Sequence, residues 1–224
     1  MRATIANADP RTTTDGPGGR VDLFSDGSPV ELLPHDGSAV LHPWILGDDS
    51  SSATFDELRR AVEWSQHRLT MFGRQVDEPR LSAWYGDVSY TYSGVPREPL
   101  PWNEPLSRLR RLCERITGSS FNSVLANLYR DGTDSMGWHA DDEPELGTSP
   151  VIASVSLGAP RRFRFRHRDS GETIECRLPS GSLLVMSGAC QRRWMHSVPK
   201  ETRVSEPRIN LTYRLIGPVV DRRS

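Results

Sequence analysis

Arg208-Ile209-Asn210-Leu211-Thr212-Tyr213-Arg214, residues 208–214, alternates polar and apolar without a break. Successive side chains of a strand point to opposite faces. Arg208, Asn210, Thr212 and Arg214 therefore share one face, and Ile209, Leu211 and Tyr213 the other. Upstream, short alternating or apolar stretches recur between turns at 122–130, 151–158, 161–168, 173–178 and 182–187. Many short strands behind a helical lead-in predict an α+β chain that is mainly β. The architecture expected is a double-stranded β-helix, or jelly roll, with helices packed on one sheet.

The lead-in carries two helix signals. Thr54-Phe55-Asp56-Glu57 reads as a capping box, followed by Phe55, Leu58 and Val62 at helical spacing. A second helix is predicted from Asn103-Glu104-Pro105 to Gly118, with Leu106, Leu109, Leu112, Cys113 and Ile116 on one apolar face. Residues 1–38 are rich in Gly, Pro, Asp, Ser and Thr and lack periodicity. They are expected to form a loose tail, with a short ordered piece near Val30-Glu31-Leu32-Leu33. Residues 39–120 should supply a recognition lid and supporting helices, and 121–218 the jelly-roll core, with 39–218 forming one domain.

Composition sets the remaining bounds. A chain of 224 residues with 36% hydrophobic and 25% charged residues can bury a sizeable core and stay in water. No apolar run approaches the roughly 20 residues that cross a bilayer. The N-terminus lacks the apolar core of a signal peptide. The expectation is a monomer without membrane contact, in the cytoplasm or, in a eukaryote, the nucleus. Cys113, Cys176 and Cys190 form no CxxC pair, so they read as buried free thiols rather than a zinc site. A net charge of −1 does not announce nucleic-acid binding, although a local basic groove would suffice.

The chemistry concentrates in two short stretches, Trp138-His139-Ala140-Asp141 and Trp194-Met195-His196-Ser197. Residues i and i+2 of a strand face the same way, so His139 and Asp141 can reach one ion from a strand or its end. His196 must arrive from another strand. Two imidazoles and one carboxylate suit non-haem Fe(II), leaving about three octahedral positions for a bidentate keto acid and dioxygen. Zinc hydrolases also use two histidines and a carboxylate. That reading needs a general base and leaves the arginine strand unexplained. Two arginines on the inner face of a jelly roll are costly unless anions pair with them. A dicarboxylate is such an anion, and a guanidinium can grip it through two hydrogen bonds. Asn127-Leu128-Tyr129 offers an amide and a phenol on one face of an earlier strand.

Taken together, these residues resemble the AlkB-type Fe(II)/2-oxoglutarate dioxygenases, and most closely the eukaryotic-type second and third homologues. The matching stretches are PRLSAWYGD and SYTYSG (79–94), FNSVLANLYRDGTDSMGWHADDEPELG (121–147), IASVSLGAPRRFRFRH (152–167), GSLLVMSGACQRRWMHSVPK (181–200) and EPRINLTYR (206–214). The resemblance covers roughly residues 70 to 216, with no departure at the metal or cosubstrate positions. It implies that His139, Asp141 and His196 bind iron, and that Arg208 pairs with the distal carboxylate of 2-oxoglutarate. Asn127, Tyr129, Asn210 and Arg214 would line the same pocket. The implied reaction uses O2 and removes the methyl group from 1-methyladenine and 3-methylcytosine in DNA, with RNA as a further substrate. Its products are formaldehyde, succinate and CO2. The same chemistry on RNA or protein, and a nucleic-acid-binding jelly roll without turnover, stay open as alternatives.

The resemblance also implies substrate contacts. Asp142 would face the amino edge of a cationic base, with Glu143 beside it. Tyr90 and Tyr92 look like the family's substrate-loop aromatics, Tyr92 stacking on the flipped base opposite His139. Met71-Phe72-Gly73-Arg74 aligns with a hairpin that wedges an apolar side chain into a duplex. Arg161-Arg162-Phe163-Arg164-Phe165-Arg166-His167-Arg168 alternates, with Arg162, Arg164, Arg166 and Arg168 on one face as a phosphate-contacting stripe. Arg161, on the other face, is counted among the substrate contacts.

Overall fold

The computed structural model describes residues 27–71, 74–88, 90–92 and 95–217. The chain opens with β1 (Val30–Glu31), β2 (Ser38–His42) and α1 (Asp48–Ala61), then β3 (Arg68–Met71), β4 (Arg74–Asp77) and β5 (Leu81–Gly86). There follow β6 (Tyr90–Tyr92), β7 (Val95–Arg97), α2 (Glu104–Thr117), β8 (Ser123–Tyr129) and β9 (Met136–His139). The last part holds β10 (Ile152–Gly158), β11 (Arg161–His167), β12 (Thr173–Leu178), β13 (Ser182–Ser187), α3 (Cys190–Arg193), β14 (Trp194–Val198) and β15 (Arg208–Arg214).

Two antiparallel sheets face each other. The larger has seven strands in the order β1-β2-β13-β10-β15-β8-β5, and the smaller four in the order β12-β11-β14-β9. Two further two-stranded sheets, β3–β4 and β6–β7, stand apart. One core, including Leu125, Phe163, Phe165, Met186 and Trp194, lies between the sheets. A second lies under the helices, where Leu58, Leu106, Leu109 and Cys113 meet Val155, Ile209, Leu211 and Tyr213. This is a jelly roll with helices on the outside of its larger sheet.

β15 shows why the alternation mattered. Its apolar set packs beneath the helices, while Arg208, Asn210, Thr212 and Arg214 turn toward the smaller sheet. All seven residues are buried. Burying each Ile or Leu contributes about 1.5–3 kcal/mol, which anchors the strand with its polar face inward.

α2 follows its sequence signals. Asn103 Oδ1 accepts a hydrogen bond from the Leu106 N–H at 3.1 Å, and Gly118 ends the helix in the left-handed conformation at φ 67°. α1 departs from expectation. It starts at Asp48 with Gly47 as its N-cap, so the supposed capping box at Thr54 lies inside the helix. Asp48 and Asp49 sit at the positive end of the helix dipole. Ser51 and Thr54 face inward, where an apolar pattern would have been sought.

Order also begins earlier than residue 38. β1 pairs with β2, β2 pairs with β13, and Leu32 and Leu33 enter the core between the sheets. Gly37 permits this approach: at φ 134° a Cβ would lie 2.5 Å from the Cys190 nitrogen. The expected tail over 1–26, Phe72 and Gly73 lie outside the described residues, as do the side chains of Met71, Tyr90 and Tyr92. The three cysteines are buried free thiols, and burial pushes each up to about 12, which keeps them inert. Among the described residues, no helix is long and apolar enough to cross a membrane.

Candidate metal centre and cosubstrate pocket

Strand register brings the metal-binding residues together. β9 ends at His139 and pairs with β14 so that His139 and His196 lie directly opposite. Their ring centroids are 4.2 Å apart. The chain leaves the strand after His139, and Asp141 swings back until Oδ2 lies 3.8 Å from His196 Nε2. One ligand atom from each residue falls within 4.8 Å of the others. Asp141 thus reaches the centre from beyond the strand end. Phe163 stacks on His196 at 5.4 Å between centroids and fixes the ring plane from below.

The electrostatics suit a cation. Burial alone would raise the Asp141 carboxyl, but the charge of Arg214 first, then those of His196 and His139 and the hydrogen bond from Arg214, hold it below the carboxylate range. His196 is pushed down to about 3, by burial first and by His139 next, so it offers a lone pair rather than a proton. His139 Nδ1–H donates to the Gly137 carbonyl at 2.9 Å, which leaves Nε2 as the ligating atom. The donor set fits a divalent metal with open positions. His139 is the partly exposed ligand of the three, so the centre opens on the β9 side.

The other side of the cleft is built on β15, β8 and β10. Arg208 is 1% exposed. Its Nη2 donates to Ser156 Oγ at 2.9 Å, whereas Nε and Nη1 have no hydrogen-bond partner. Among the described residues no carboxylate pairs with it; its guanidinium lies 5.2 Å from the Tyr129 ring centre. A lone buried guanidinium costs several kcal/mol unless a carboxylate or similar anion offsets this. Asn210 Nδ2 donates to Ser154 Oγ at 2.8 Å and to the Val155 carbonyl at 3.1 Å. Asn127 Oδ1 accepts from Arg80 Nε at 2.8 Å, and Arg80 is paired with buried Glu78 at 3.0 Å. A narrow cleft is lined by the three metal-binding residues and by Asn127, Tyr129, Arg208, Asn210 and Arg214. Arg214 belongs to both halves, because its guanidinium is engaged with Asp141.

Some site residues escape sequence reading. Gln191, on α3, is 1% exposed, and its Oε1 accepts the Asp141 N–H at 2.9 Å. Ser154 and Ser156 hold the polar face of β15 in place. A polar residue directly after a cysteine in a four-residue helix carries no signal of its own. Arg80 lies in a matched stretch, but nothing in PRLSAWYGD distinguishes a buried arginine from an exposed one.

The substrate-side expectations divide. Asp142 is half exposed at the rim, with Oδ2 paired to Arg168 at 2.7 Å. Glu143 starts a short 3-10 turn over Pro144–Leu146. Arg161 is corrected: it is 1% exposed, and its donors go to Glu201, to the Asp131 and Asp134 carbonyls and to Pro199 O. The inward phase of β11 takes it under the site, where it braces two loops and cannot meet a substrate. Arg162, Arg164 and Arg166 do lie on the outer, part-exposed face of β11.

A metal triad with open positions beside a buried cation that lacks its anion is what an iron- and keto-acid-dependent dioxygenase requires. Residues 37–214 match the 2OG-Fe(II) oxygenase superfamily. The chain is 44% identical over 200 residues to the alpha-ketoglutarate-dependent dioxygenase alkB homolog 3 of Bos taurus, covering 84% of this chain and 70% of that protein. It is 38% identical over 220 residues to the DNA oxidative demethylase ALKBH2 of Homo sapiens, covering 92% and 83%. The chain belongs to the 2OG-Fe(II) oxygenase superfamily, in its AlkB-type branch. The solved structure of OsALKBH1 shares the fold, with a TM-score of 0.59 at 16% identity over 83% of this chain and 100% of that one. The cofactor is Fe(II), and 2-oxoglutarate and O2 are cosubstrates.

Proposed function

We propose that this dioxygenase removes methyl groups from N-alkylated bases, 1-methyladenine and 3-methylcytosine, in DNA, with methylated RNA as a second substrate class. The observation that carries the reading is the pairing, in one cleft, of an open metal triad with the unsatisfied guanidinium of Arg208. The names of its relatives, alkB homolog 3 and DNA oxidative demethylase ALKBH2, support nucleic acid as the substrate.

Bound iron, with 2-oxoglutarate and O2, supplies an oxidation in which 2-oxoglutarate becomes succinate and CO2 while the N-methyl group is hydroxylated and leaves as formaldehyde. The protein's own residues bind, orient and select. Arg208 holds the distal carboxylate of 2-oxoglutarate, while Asn210 and Tyr129 shape the walls. Asp141, His139 and His196 would hold the metal. Asp142, which shares its carboxylate with Arg168 at the rim, is assigned to the amino edge of a base that methylation at a ring nitrogen makes cationic. The base must leave its stack to reach the cleft, at a few kcal/mol, and least in a single strand. Tyr90 and Tyr92, and the hairpin at Met71-Phe72-Gly73, are assigned to gripping the flipped base and its strand. The enzyme is taken to act as a monomer in the cytoplasm or nucleus.

Formaldehyde release, measured side by side on 1-methyladenine in single-stranded DNA, duplex DNA and RNA and on a methylated peptide, tests this. Release from the nucleic acids alone is the expected result. Release from the peptide alone would move the same chemistry to another substrate.

A further inference from the structure

The outer face of the smaller sheet carries a feature that the metal chemistry does not use. β9 is an edge strand of that sheet, and it bears both His139 and Trp138. His139 turns inward to the metal centre, so Trp138 turns outward. Arg164 and Arg166 of β11 reach across the intervening strand β14 and lay their guanidinium carbons 5.4 Å and 4.5 Å from the Trp138 ring centre. They cross above Ser197 and Met195, the residues that pair with them on β14. Small Ser197 leaves room for this. The result is a layer of two cations and an indole, back to back with the metal centre and beginning at its open edge.

The charges are poorly matched by acids. Arg166 has no carboxylate within ion-pair reach among the described residues. Arg164 meets Glu175 only at 3.7 Å, and its Nε makes no hydrogen bond. Farther along β11, Arg162 stands opposite Arg177 of β12 and borders an open groove that Lys200 and Arg203 also line. The single acid in that groove, Glu201, is already held by Arg161, Arg162 and Arg177. A chain of net charge −1 thus concentrates cations on one face.

The geometry points to this face as a track for the single-stranded flank of the nucleic acid whose modified base enters the cleft. Alternate arginines on a strand recur about every 6.7 Å and present cations in a row to successive phosphates. Stacked guanidinium and indole planes add a surface for bases of any identity. The strand would leave the mouth beside His139, pass over Trp138, Arg166 and Arg164, and end in the Arg162–Arg203 groove. This rests on the nucleic-acid reading above and assigns the path of the undamaged flank, which that reading leaves open.

The test measures binding to enzyme loaded anaerobically with Fe(II) and 2-oxoglutarate. The probes are a long single strand and a trinucleotide, each carrying one 1-methyladenine, over a series of salt concentrations. The long strand should bind more tightly, with a steeper salt dependence. Each phosphate contact adds a slope of about 0.7 for single strands. The double variant R164A/R166A should therefore lose roughly 1–1.5 of slope and bind the long strand about tenfold more weakly at low salt, with the trinucleotide unaffected. R166K, which keeps the charge and loses the planar stack, should keep the slope and lose part of the affinity. Unchanged 2-oxoglutarate binding would show that the variants are folded. Wild-type slope and affinity in the double variant, or equal binding of both probes by wild type, would overturn the track while leaving the demethylase reading standing. No binding of either probe by wild type would overturn both.

Discussion

At the residue scale, Arg208 carries the most weight. A guanidinium that is 1% exposed and keeps two donor nitrogens without partners is stable only with an anion beside it. Arg208→Ala should raise the KM for 2-oxoglutarate by about 10–100-fold with a smaller change in kcat, since a charged hydrogen bond contributes about 1.5–3 kcal/mol. Arg208→Lys should not restore it, because a point charge cannot replace a planar fork. A KM within twofold of wild type, measured by succinate formation, would remove Arg208 from this role. Gln191 acts through Asp141. Gln191→Leu deletes the acceptor of the Asp141 N–H and should weaken Fe(II) binding about 10–100-fold, read by anaerobic titration. Unchanged iron affinity would make Gln191 a packing residue only.

His196 makes a pH prediction. Its pKa is pushed down to about 3 in the fold from an ordinary 6.5. The unfolded chain takes up this proton near 6.5 and the folded chain only near 3, so acid in that window favours unfolding. From this group alone, metal-free protein should lose about 2 kcal/mol between about pH 7.5 and pH 5. Urea unfolding of metal-free wild type and His196→Gln at both pH values checks it. The variant should lack that loss, and an equal pH dependence in the two proteins would contradict the assignment. The metal and arginine residues were legible in the sequence because HxD, a distant His and an alternating arginine strand are rare together. Gln191 was not, because its role depends on where a four-residue helix sits.

At the element scale, the strands were the most legible part. Stretches expected at 151–158, 173–178 and 208–214 appear as Ile152–Gly158, Thr173–Leu178 and Arg208–Arg214. Period-two alternation survives wherever one face of a sheet is buried. α1 was misread because its start is a run of Asp and Ser capped by a glycine, with Ser51 and Thr54 turned inward. Arg161 was misplaced for the opposite reason, since alternation gives the two faces of β11 but not the partners that a buried arginine finds. Those partners define a testable joint. Gly132 pairs with the loop after β14, donating to the Val204 carbonyl at 2.7 Å and accepting from the Glu201 N–H at 2.8 Å. A Cβ there would meet Glu201 O at 1.8 Å. Gly132→Ala should cost about 2 kcal/mol or more, which for a chain of this size lowers Tm by roughly 4–8 °C. A Tm equal to wild type would mean that the two loops can part freely.

At the scale of the whole molecule, two sheets with an apolar core between them and a polar cleft at one end bring the metal triad and the buried arginines of β15 into one volume. The larger sheet supplies Asn127, Tyr129, Arg208 and Asn210, the smaller supplies the histidines, and Arg214 ties one to the other through Asp141. Helices outside the larger sheet bury the reverse of β15, so its arginines are held on a rigid backing. The measurement that tests this account most directly is anaerobic loading with Fe(II) and 2-oxoglutarate, then admission of air with a 1-methyladenine oligonucleotide, followed by mass spectrometry of the strand. Loss of one methyl group that requires both Fe(II) and 2-oxoglutarate is the predicted result. An intact methylated strand with no succinate formed would contradict it.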